Sequence, residues 1–438
     1  MSVIWPTRKL REVADIRVSN VDKKTHFSET PVRLCNYMDV YSNEYVTSRI
    51  DFMEASATPA EIERFGLAIG DVVITKDSES PDDIGIPTVI SEDIRGLVCG
   101  YHLALIRPKA DELDSVYLAK QLSTSRVTRY FSLQASGSTR YGLPISAIES
   151  VEIPTPPKPE QTKIAEILST VDSAIEQTEA LIAKQERLKT GLMQDLLTCG
   201  IDAHGNLRSE VTHEFKDSPL GRIPVEWEVK RIDELLANVD PAMRSGPFGS
   251  ALLKEELVDS GVPLLGIDNV YAEHFSAHYS RFVPAHKAEA LKRYRVRPGD
   301  IMITIMGTVG RCCVVPDDIG TALSSKHTWT VTFDQRLYSP YLACLQINHA
   351  PWVLNHFAKD EQGGIMASIK SDTLRATLFP VPPLEEMNTI QASLKSLSAE
   401  LEIKGVQLKK LRALKTALMQ VLLTGRKRVT SLLTPSAS

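Results

Sequence analysis

No apolar run in this sequence is long enough to cross a membrane. A transmembrane helix needs about 20 consecutive apolar residues, and no stretch approaches that length. The opening MSVIWPTRKLREVAD also lacks the apolar core of a secretory leader. We therefore expect a cytoplasmic protein with no membrane association.

Cysteine is scarce, and its spacing fits neither disulfides nor metal. The 438 residues contain six cysteines, with no CxxC pair and no Cys/His ligand spacing. Adjacent Cys312 and Cys313 are poor ligands for a single ion. This pattern predicts buried free thiols in a reducing compartment and no metal site.

The signatures of common catalytic centres are absent as well. The sequence has no GxxxxGK[ST] phosphate loop, no GxGxxG after a strand, no HExxH, no GxSxG and no kinase set. The acidic pairs Asp82-Asp83 and Asp317-Asp318 lie in a repeated PDDIG string and are interpreted as turn residues. His102 and His327 have no neighbouring nucleophile and are interpreted as structural or polar-contact residues. We predict that the chain by itself is not an enzyme.

Basic charge is not in excess. Lys and Arg number 50 against 55 Asp and Glu, which gives a formal net charge of −5. Nucleic-acid-binding domains are usually basic, so DNA binding here would need local patches and a basic partner for the phosphate contribution. The composition, 43% hydrophobic and 24% charged, is that of folded domains, and the length predicts two to four of them.

What the sequence does contain is an internal duplication. Residues 188–198 read LKTGLMQDLLT and residues 414–424 read LKTALMQVLLT, so nine of eleven positions are identical at an offset of 226. Upstream, IGDVVIT matches PGDIMIT, His102 lies near the equivalent of His327, and Trp5 and Trp227 open the two halves. A period of this length indicates a duplicated domain, because solenoid repeats are far shorter.

Each half ends in a segment with helical periodicity. Apolar residues recur at alternating spacings of four and three, which places them on one seam of a helix, as in a coiled coil. Pro159 followed by Glu160 suits a first helical turn, and Gly200 and Gly425 are stop signals. The seam residues are Ile164, Leu168, Val171, Ile175, Ile182, Ile390, Leu394, Leu397, Leu401, Leu408 and Leu411.

These segments predict two helices of about 40 residues, each about 60 Å long. A globule of 150 residues is smaller than that, so we expect the two seams to be buried against each other. The alternative is that each helix packs on its own domain. The polar Thr178 and Lys404 at seam positions weaken the coiled-coil pattern but could fix its register.

The rest of each half mixes strands and helices and predicts the α+β class. Runs rich in β-branched and aromatic residues at 71–75, 103–106, 301–305 and 328–333 predict strands. The segment Gln134–Leu143, QASGSTRYGL, offers glycine backbone and hydroxyls for phosphate and an arginine for guanine. Its counterpart Gln362–Lys370 reads QGGIMASIK. Because such loops are common, ordinary surface loops remain the alternative to nucleic-acid contacts.

Together these residues resemble the specificity (S) subunit of type I restriction-modification systems. The most specific parts are PPKPEQTKIAEIL at 156–168, the LKTGLMQDLLT ending, their second copies, and RSGPFGSALLKEELVDSGVPLLGIDNV at 244–270. The first half departs from the family by lacking GPFGS. The second helix, starting Leu384-Glu385-Glu386, lacks the family's glutamine.

The resemblance implies two target-recognition domains, each reading one half of a bipartite, non-palindromic site in double-stranded DNA. Two conserved helices would pair antiparallel with pseudo-twofold symmetry, set the spacing and dock two methyltransferase (M) subunits. Restriction/translocase (R) subunits would join indirectly, and S-adenosylmethionine, ATP and Mg would serve partner subunits. The implied parts are target-recognition domains at 1–155 and 227–381, helical regions at 156–199 and 382–425, a linker at 200–226, and a basic then flexible tail at 426–438.

The resemblance also implies that side chains of each domain enter the major groove. The implied DNA-binding residues are Lys76, Ser138, Thr139, Arg140, Tyr141, Ser245, Phe248, Ser250, Lys326, His327, Ser368 and Lys370. Gly246 and Gly249 are expected to shape a turn. Two alternatives stay open: a recognition subunit of a methylation-only complex, and a coiled-coil scaffold that binds protein and no DNA.

Overall fold

The computed structural model describes residues 5–361 and 368–433, which fall into two compact units. The first unit is Met1–Leu181 with Lys404–Ser438, and the second unit is Ile182–Ile403. The first long helix is Lys158–Thr198 and the second long helix is Leu384–Leu422, so each unit contains part of both. The prediction of two long helices in a mixed helix-and-sheet chain is confirmed.

The centre of the first unit is a five-stranded sheet. Val72–Thr75, rich in β-branched residues, is buried along its whole length between Leu103–Pro108 and Pro87–Ile90. Its strands, in spatial order, are Ala14–Val18, Leu103–Pro108, Val72–Thr75, Pro87–Ile90 and Tyr45–Val46, antiparallel except for the last pair. A three-stranded sheet contains Met53–Ala57, Thr30–Cys35 and Leu97–Cys99. Two-stranded ladders join Thr7–Lys9 to Glu152–Pro154 and Asp77–Ser78 to Tyr141–Gly142.

Helices of the first unit cover these sheets. Ser115–Leu122 and Pro59–Phe65 are both N-capped by a side chain, Asp114 and Thr58 respectively, which satisfies free amide groups of the first turn. The helices before the first long helix are Leu10–Val13, Tyr37–Tyr41, Pro59–Phe65, Ser115–Leu122, Ser125–Gln134 and Ile145–Ser150, and Thr430–Leu432 forms a 3-10 turn.

The second unit has two four-stranded sheets. The first contains Met243–Ser245, Thr328–Val331, Ile301–Thr304 and Cys312–Val314, all antiparallel. The second contains Phe282–Val283, Val262–Leu265, Ala322–Ser324 and Arg295–Val296, with one parallel pair. The remaining ladders pair Phe215–Ser218 with Gly221–Pro224, Glu228–Arg231 with Leu378–Val381, and Val270–Tyr271 with His274–Phe275.

Helices of the second unit are mostly short. The α-helices are Ala285–Ala290, Pro340–His349, Pro351–Glu361 and Ser371–Ala376. The 3-10 turns are Ile232–Leu235, Gly249–Ala251, Lys254–Glu256, Ile267–Asn269 and Lys292–Tyr294. Ser339 caps Pro340–His349, whose proline stands in the first turn, where its missing amide proton costs nothing.

The core of each unit includes parts of both long helices. In the first unit, Ile164 and Leu168 of the first long helix share a buried cluster with Leu422 and Leu423. In the second unit, Leu196 and Leu197 share a buried cluster with the second long helix. Its members from that helix are Met387, Ile390 and Leu394.

The periodicity identified the least exposed face of each long helix. Ile164, Leu168, Ile390 and Leu394 are fully buried, and Val171 is nearly so. The other predicted seam residues are half-buried: Ile175, Ile182, Leu397, Leu401, Leu408 and Leu411. The seam threonine, Thr178, is buried and satisfies its hydroxyl by donating to the carbonyl of Ala174 at 2.6 Å.

Polar contacts within each unit run between the two long helices. In the first unit, Lys415 Nζ lies 2.9 Å from Asp172 Oδ1, and Arg412 donates to Glu179 at 2.7 Å. In the second unit, Gln185 donates to Glu400 at 3.5 Å. In the first unit, the residue numbers rise from 172 to 179 along the first long helix as they fall from 415 to 412 along the second.

A cluster of ionised side chains surrounds Asp172 in the first unit. Lys120 Nζ lies 2.6 Å from Asp172 and 2.6 Å from Glu44, and Tyr45 donates to Asp172 at 3.0 Å. Burial by itself would raise the pKa of Asp172, but Lys120 and Lys415 outweigh it and hold that pKa below its usual range. The carboxylate therefore stays ionised while largely buried.

A Trp–Glu–Arg cluster closes the first unit where Trp5 and Arg428 meet. Glu160, in the first turn of the first long helix, accepts from Arg428 at 2.7 and 2.6 Å and from the amide of Val429. The guanidinium of Arg428 lies over the Trp5 ring at 5.4 Å. Thus part of the predicted tail, from Arg428 to Val429, packs into this unit, while residues 434–438 lie outside the described residues.

The second unit has the equivalent cluster, built from Glu386, Arg208 and Trp227. Glu386, at an offset of 226 from Glu160, accepts from Arg208 at 2.5 and 3.1 Å and from Trp227 Nε1 at 3.1 Å. Gly200 lies against all three with φ +65°, and a Cβ there would sit 2.1 Å from Glu386 Oε1. Only glycine fits this end of the first long helix.

Candidate nucleic-acid interface

The candidate site of the first unit is built at the end of its central strand. The backbone of Lys76, directly after Val72–Thr75, donates to the carbonyl of His102 at 2.8 Å and accepts from the amide of Leu143 at 2.8 Å. Tyr141 pairs with Ser78 in a short ladder. Three segments far apart in the sequence therefore meet here, and the predicted loop Gln134–Leu143 is one of them.

The charged groups at this end form a connected chain. Asp77 accepts from Lys76 Nζ at 2.9 Å through Oδ1 and contacts His102 Nδ1 at 2.7 Å through Oδ2. Arg140 lies 3.3 Å from His102 Nε2. Burial alone would raise the pKa of Asp77, but the hydrogen bonds from His102 and Lys76 hold it below its usual range. The Asp77 carboxylate is therefore ionised at neutral pH.

A groove lies beside these connected charged groups, and aromatic and acidic side chains line it. The groove has a volume of about 560 Å³. Tyr37 and Tyr41 stack on its wall with ring centroids 5.5 Å apart. A hydrogen bond to Asp83, which also lines the groove, raises the pKa of Tyr41. A carboxylate can accept a hydrogen bond from the amino group of cytosine in the major groove, whereas it repels phosphate.

The structure places the predicted contact residues of the first unit at the surface. Ser138, Thr139 and Arg140 are exposed and Tyr141 is half-buried, while Lys76 is engaged by Asp77. Sequence reasoning missed Asp77, Tyr37 and Tyr41. The position of Asp77 could have indicated it, because it follows the same strand end as Lys76. Nothing in the sequence around the two tyrosines of the helix Tyr37–Tyr41 indicates a place in the site.

A larger groove, of about 930 Å³, lies elsewhere in the first unit. Its lining includes Glu44, Asp172 and Lys415, whose charges already satisfy one another. Size by itself does not indicate a ligand. We therefore place the candidate site at the strand end.

The second unit repeats the same backbone frame with other side chains. The amide of Ile305, directly after Ile301–Thr304, donates to the carbonyl of His327 at 3.0 Å. The hydroxyl of Ser245 donates to the carbonyl of Lys326 at 3.3 Å. The structure therefore brings together Ser245, Lys326 and His327, three of the predicted contact residues.

Gly246 makes this approach possible. Its amide donates to the carbonyl of Ser325 at 3.1 Å, and a Cβ would lie 2.1 Å from the carbonyl oxygen of Ser324. The glycine is buried and shapes the turn. Phe248 and Ser250, which follow, are exposed, with 58% of Phe248 open to solvent.

His327 lies in a positive environment. Burial lowers its pKa, and the nearby charges of Lys326 and Arg281 lower it further. Lys326 is exposed and His327 half-buried. The ring is therefore neutral at physiological pH and can either donate or accept a hydrogen bond.

The other predicted loop of the second unit is described only at its end. Residues 362–367 lie outside the described residues. Ile369 accepts from Trp329 Nε1 at 2.9 Å, which places Ser368 and Lys370 beside the strand Thr328–Val331. Ser368 is half-buried and Lys370 exposed.

Arg244, which opens the RSGPFGS motif, belongs to the core and not to the surface. It is 3% exposed, pairs with the buried Asp300 and donates to Thr332 Oγ1 at 2.9 Å. In the first unit the equivalent carboxylate, Asp71, accepts from Arg107 at 2.7 and 2.6 Å. Each unit thus fixes the turn before its central strand with an ion pair to a buried aspartate, although the arginine is buried only in the second unit.

Across residues 5–361 and 368–433, no group of three or more His, Cys, Asp or Glu side chains could hold a metal ion. In the same part of the chain, no helix is long and apolar enough to cross a membrane.

The chain is similar to known proteins of one family. Residues 3–187 match the family model described as the type I restriction modification DNA specificity domain. The chain is 24% identical over 432 residues to a type I restriction enzyme specificity subunit of Methanocaldococcus jannaschii, MjaX, covering 97% of this chain and 94% of that protein. It is 26% identical over 325 residues to the MjaVIII specificity subunit of the same organism, covering 73% and 72%.

A solved structure shares the fold. The S subunit of the type I restriction-modification system from M. genitalium aligns with a TM-score of 0.59 at 16% identity. The alignment covers 95% of this chain and 96% of that one. At this level of identity the likeness concerns architecture, and side-chain roles have to be argued from this chain's own residues.

Proposed function

We propose that the chain is a specificity subunit of a type I restriction-modification system and that its two halves each read one half of a bipartite, non-palindromic DNA target. In this proposal the chain carries out no bond-making itself. S-adenosylmethionine, ATP and Mg act in methyltransferase and translocase partners, and this chain directs those partners to the target.

One observation carries the proposal: the same backbone arrangement at the end of the central strand occurs in both units, with different side chains. Lys76 and Ile305 make equivalent backbone hydrogen bonds to His102 and His327. The side chains that follow differ, since Asp77 stands beside His102 whereas Lys326 and Ser245 stand beside His327. A repeated frame with diverged side chains is what two readers of different base sequences require.

The chemistry of each site suggests what it reads. An arginine pairs bidentately with guanine, and a carboxylate accepts from the amino group of cytosine. The first unit offers the arginine, Arg140, together with the stacked Tyr37 and Tyr41, while its Asp77 carboxylate is already engaged by Lys76 and His102. The second unit offers cations and hydroxyls, in Lys326, Ser245 and Ser250.

The net charge of the chain suggests that a basic partner contributes to DNA binding. A chain with charge −5 has little general attraction for phosphates, which usually dominate DNA affinity. We infer that the methyltransferase subunits supply most phosphate contacts, so that this chain contributes mainly sequence discrimination.

We also infer that the long helices pair antiparallel and set the spacing of the two half-sites. Support comes from the opposed numbering of Asp172–Lys415 and Glu179–Arg412 in the first unit, and from the contact between Gln185 and Glu400 in the second. The half-buried seam is the face that such pairing needs.

The repeated LKT-LMQ-LLT segments supply a docking surface for two copies of one methyltransferase subunit. Identical positions within the chain include exposed ones: Leu188 is 56% and Leu414 is 47% open to solvent. Internal packing does not explain identity at exposed positions, whereas contact with the same partner twice does.

A matched set of variants tests this docking surface. Leu188→Ser and Leu414→Ser are each expected to remove one methyltransferase copy, measured by native mass spectrometry of the purified complex. The control is Val406→Ser, because Val406 is 46% exposed but its counterpart in the repeat is Ala180. Loss of both copies from either single variant would contradict two equivalent docking surfaces.

Methylome sequencing tests the function as a whole. Cells that carry this gene with its methyltransferase partner should gain methylation at one bipartite, non-palindromic motif, and cells without the gene should not. A contiguous or palindromic motif would contradict two different readers. No new methylation, with the complex intact, would favour a scaffold that binds no DNA.

A further inference from the structure

We propose that Asp77 and His102 are positioning residues that fix the guanidinium of Arg140 for base recognition in the first unit. This inference rests on the proposed function, since it assigns the way in which one predicted contact residue is held. Neither Asp77 nor His102 was among the residues expected from the sequence to contact DNA.

The hydrogen-bond geometry allows one direction only. Arginine carries donors and no acceptor, so the 3.3 Å contact between Arg140 and His102 Nε2 requires that Nε2 accept. The proton of the neutral ring then resides on Nδ1, which lies 2.7 Å from Asp77 Oδ2. The carboxylate thus selects the tautomer that accepts from Arg140.

Asp77 is itself held in place. Its other oxygen, Oδ1, accepts from Lys76 Nζ at 2.9 Å, and its backbone belongs to the ladder with Tyr141–Gly142. The side chain is largely shielded, with 17% of it open to solvent, and that of His102 is 15% open. Groups with so little freedom can orient a long, exposed arginine, whose own rotamers are otherwise many.

The backbone at His102 is the second observation. Its φ is +60°, a left-handed conformation that glycine adopts freely and that histidine adopts at a cost. The carbonyl of His102 is fixed by the amide of Lys76 at 2.8 Å, and the Tyr101 ring lies 3.5 Å away, centroid to centroid. Glycine would adopt this turn at a lower conformational cost than histidine. We therefore infer that the imidazole has a role beyond the turn itself.

The second unit provides the contrast. His327 occupies the same backbone position but has a negative φ, and Met306 replaces Asp77 at the matching place after the strand. Among the described residues, no carboxylate hydrogen-bonds the ring of His327. The hydrogen bonds that link Asp77 through His102 to Arg140, called the relay below, are therefore a feature of the first unit. Their loss is expected to alter the first half-site only.

The test compares base discrimination in the complete complex with its methyltransferase subunit. Affinity is measured for the target and for every single-base change in the first half-site. Arg140→Ala should lose roughly 10- to 100-fold discrimination at one base position. His102→Gly, which suits the left-handed backbone, and Asp77→Asn should each lose several-fold at that same position and leave the second half-site unchanged.

Double variants separate positioning from a general effect. In the Arg140→Ala background, His102→Gly and Asp77→Asn should cause no further loss, because the group they orient is gone. Asp83→Asn is the matched control, since Asp83 lines the same groove but contacts Tyr41. Additive losses, losses at another base, or an equal loss from Asp83→Asn would overturn the relay.

A spectroscopic arm tests the relay without DNA. Histidine-selective ¹⁵N NMR of the full chain should show the Nδ1-protonated neutral tautomer for His102, assigned by its disappearance in His102→Gly. Asp77→Asn should shift it toward the Nε2-protonated form. An Nε2-protonated ring in the wild type would overturn the relay. A chain that has the Nδ1-protonated tautomer but discriminates no bases would contradict the proposed function and not the geometry.

Discussion

His102 and His327 occupy the same place in a duplicated frame and have acquired opposite surroundings. Both accept a backbone hydrogen bond from the residue that follows the central strand. His102 contacts the carboxylate of Asp77, whereas burial, Lys326 and Arg281 lower the pKa of His327. The comparison shows that duplication preserved the backbone that presents the site, while the side chains that would select bases diverged.

The largest expected effect comes from shortening both long helices by one heptad. Deleting 177–183 together with 404–410 shortens both helices equally and removes about 10 Å, or roughly three base pairs of duplex. The deletion takes out Glu179 but leaves Asp172 opposite Lys415. The methylated motif should keep both half-sites, because neither strand-end site is altered, and its spacer should shorten by about three base pairs. An unchanged spacer in methylome sequencing would show that the helices do not set the distance.

The next effect compares the two Trp–Glu–Arg clusters. Glu386→Ala leaves Arg208 buried without its partner and should lower the free energy of unfolding by about 3–5 kcal/mol. Glu160→Ala should cost less, because Arg428 is 27% exposed and water can replace the lost carboxylate.

Urea unfolding followed by tryptophan fluorescence measures both changes, since Trp227 lies against Glu386 and Trp5 against Arg428. Glu386→Gln serves as the conservative control, because it keeps the acceptor for Trp227. The comparison between the clusters fails if the two alanine variants cost the same.

A smaller effect concerns the two recognition surfaces. Arg140→Ala should cost about 1–3 kcal/mol of discrimination at one position of the first half-site. Lys326→Ala should alter only the second half-site, because the two side chains belong to different copies of the frame. Binding to single-base variants of the target measures both. If either variant weakens all sequences equally, its side chain contacts phosphate and not a base.

The smallest effect is a difference in acid sensitivity. The pKa of Asp172 is held low, so its ionised form contributes stability above the ordinary aspartate pKa of about 3.9, and this contribution is lost as the pH falls through the lowered value. Asp172→Asn should therefore make the free energy of unfolding fall less steeply below about pH 4. Ser398 stands at the matching position of the second unit, and Ser398→Ala should leave the acid limb unchanged; a change there of the same size would argue against a role specific to Asp172.

Local patterns in the sequence were sufficient for the repeat, the helices and part of the site. The four-three spacing identified the face of each long helix that is buried or half-buried, including Ile164 and Ile390. The segment Gln134–Leu143, which contains Arg140, lies at the end of the strand Val72–Thr75, while its contact with DNA stays a prediction. Both results depend on neighbours in sequence, where periodicity and turn chemistry are informative.

The remaining features depend on contacts between distant residues, which no local pattern reveals. Trp5 and Arg428 meet although the whole second unit lies between them in the sequence. Asp77 acquires its role from His102, and Arg244 is buried because Asp300 receives it. A single sequence gives residue types for these partners but not their proximity.

The participation of residues 404–433 in the first unit has a consequence for synthesis. A ribosome makes the 222 residues of the second unit before it supplies Leu422, Leu423 and Val429, a delay of roughly 10–45 s at ordinary elongation rates. During that interval Ile164 and Leu168 lack their final cover. A chain that stops early therefore never completes its first unit, and translation itself ensures that a finished first unit is accompanied by a second.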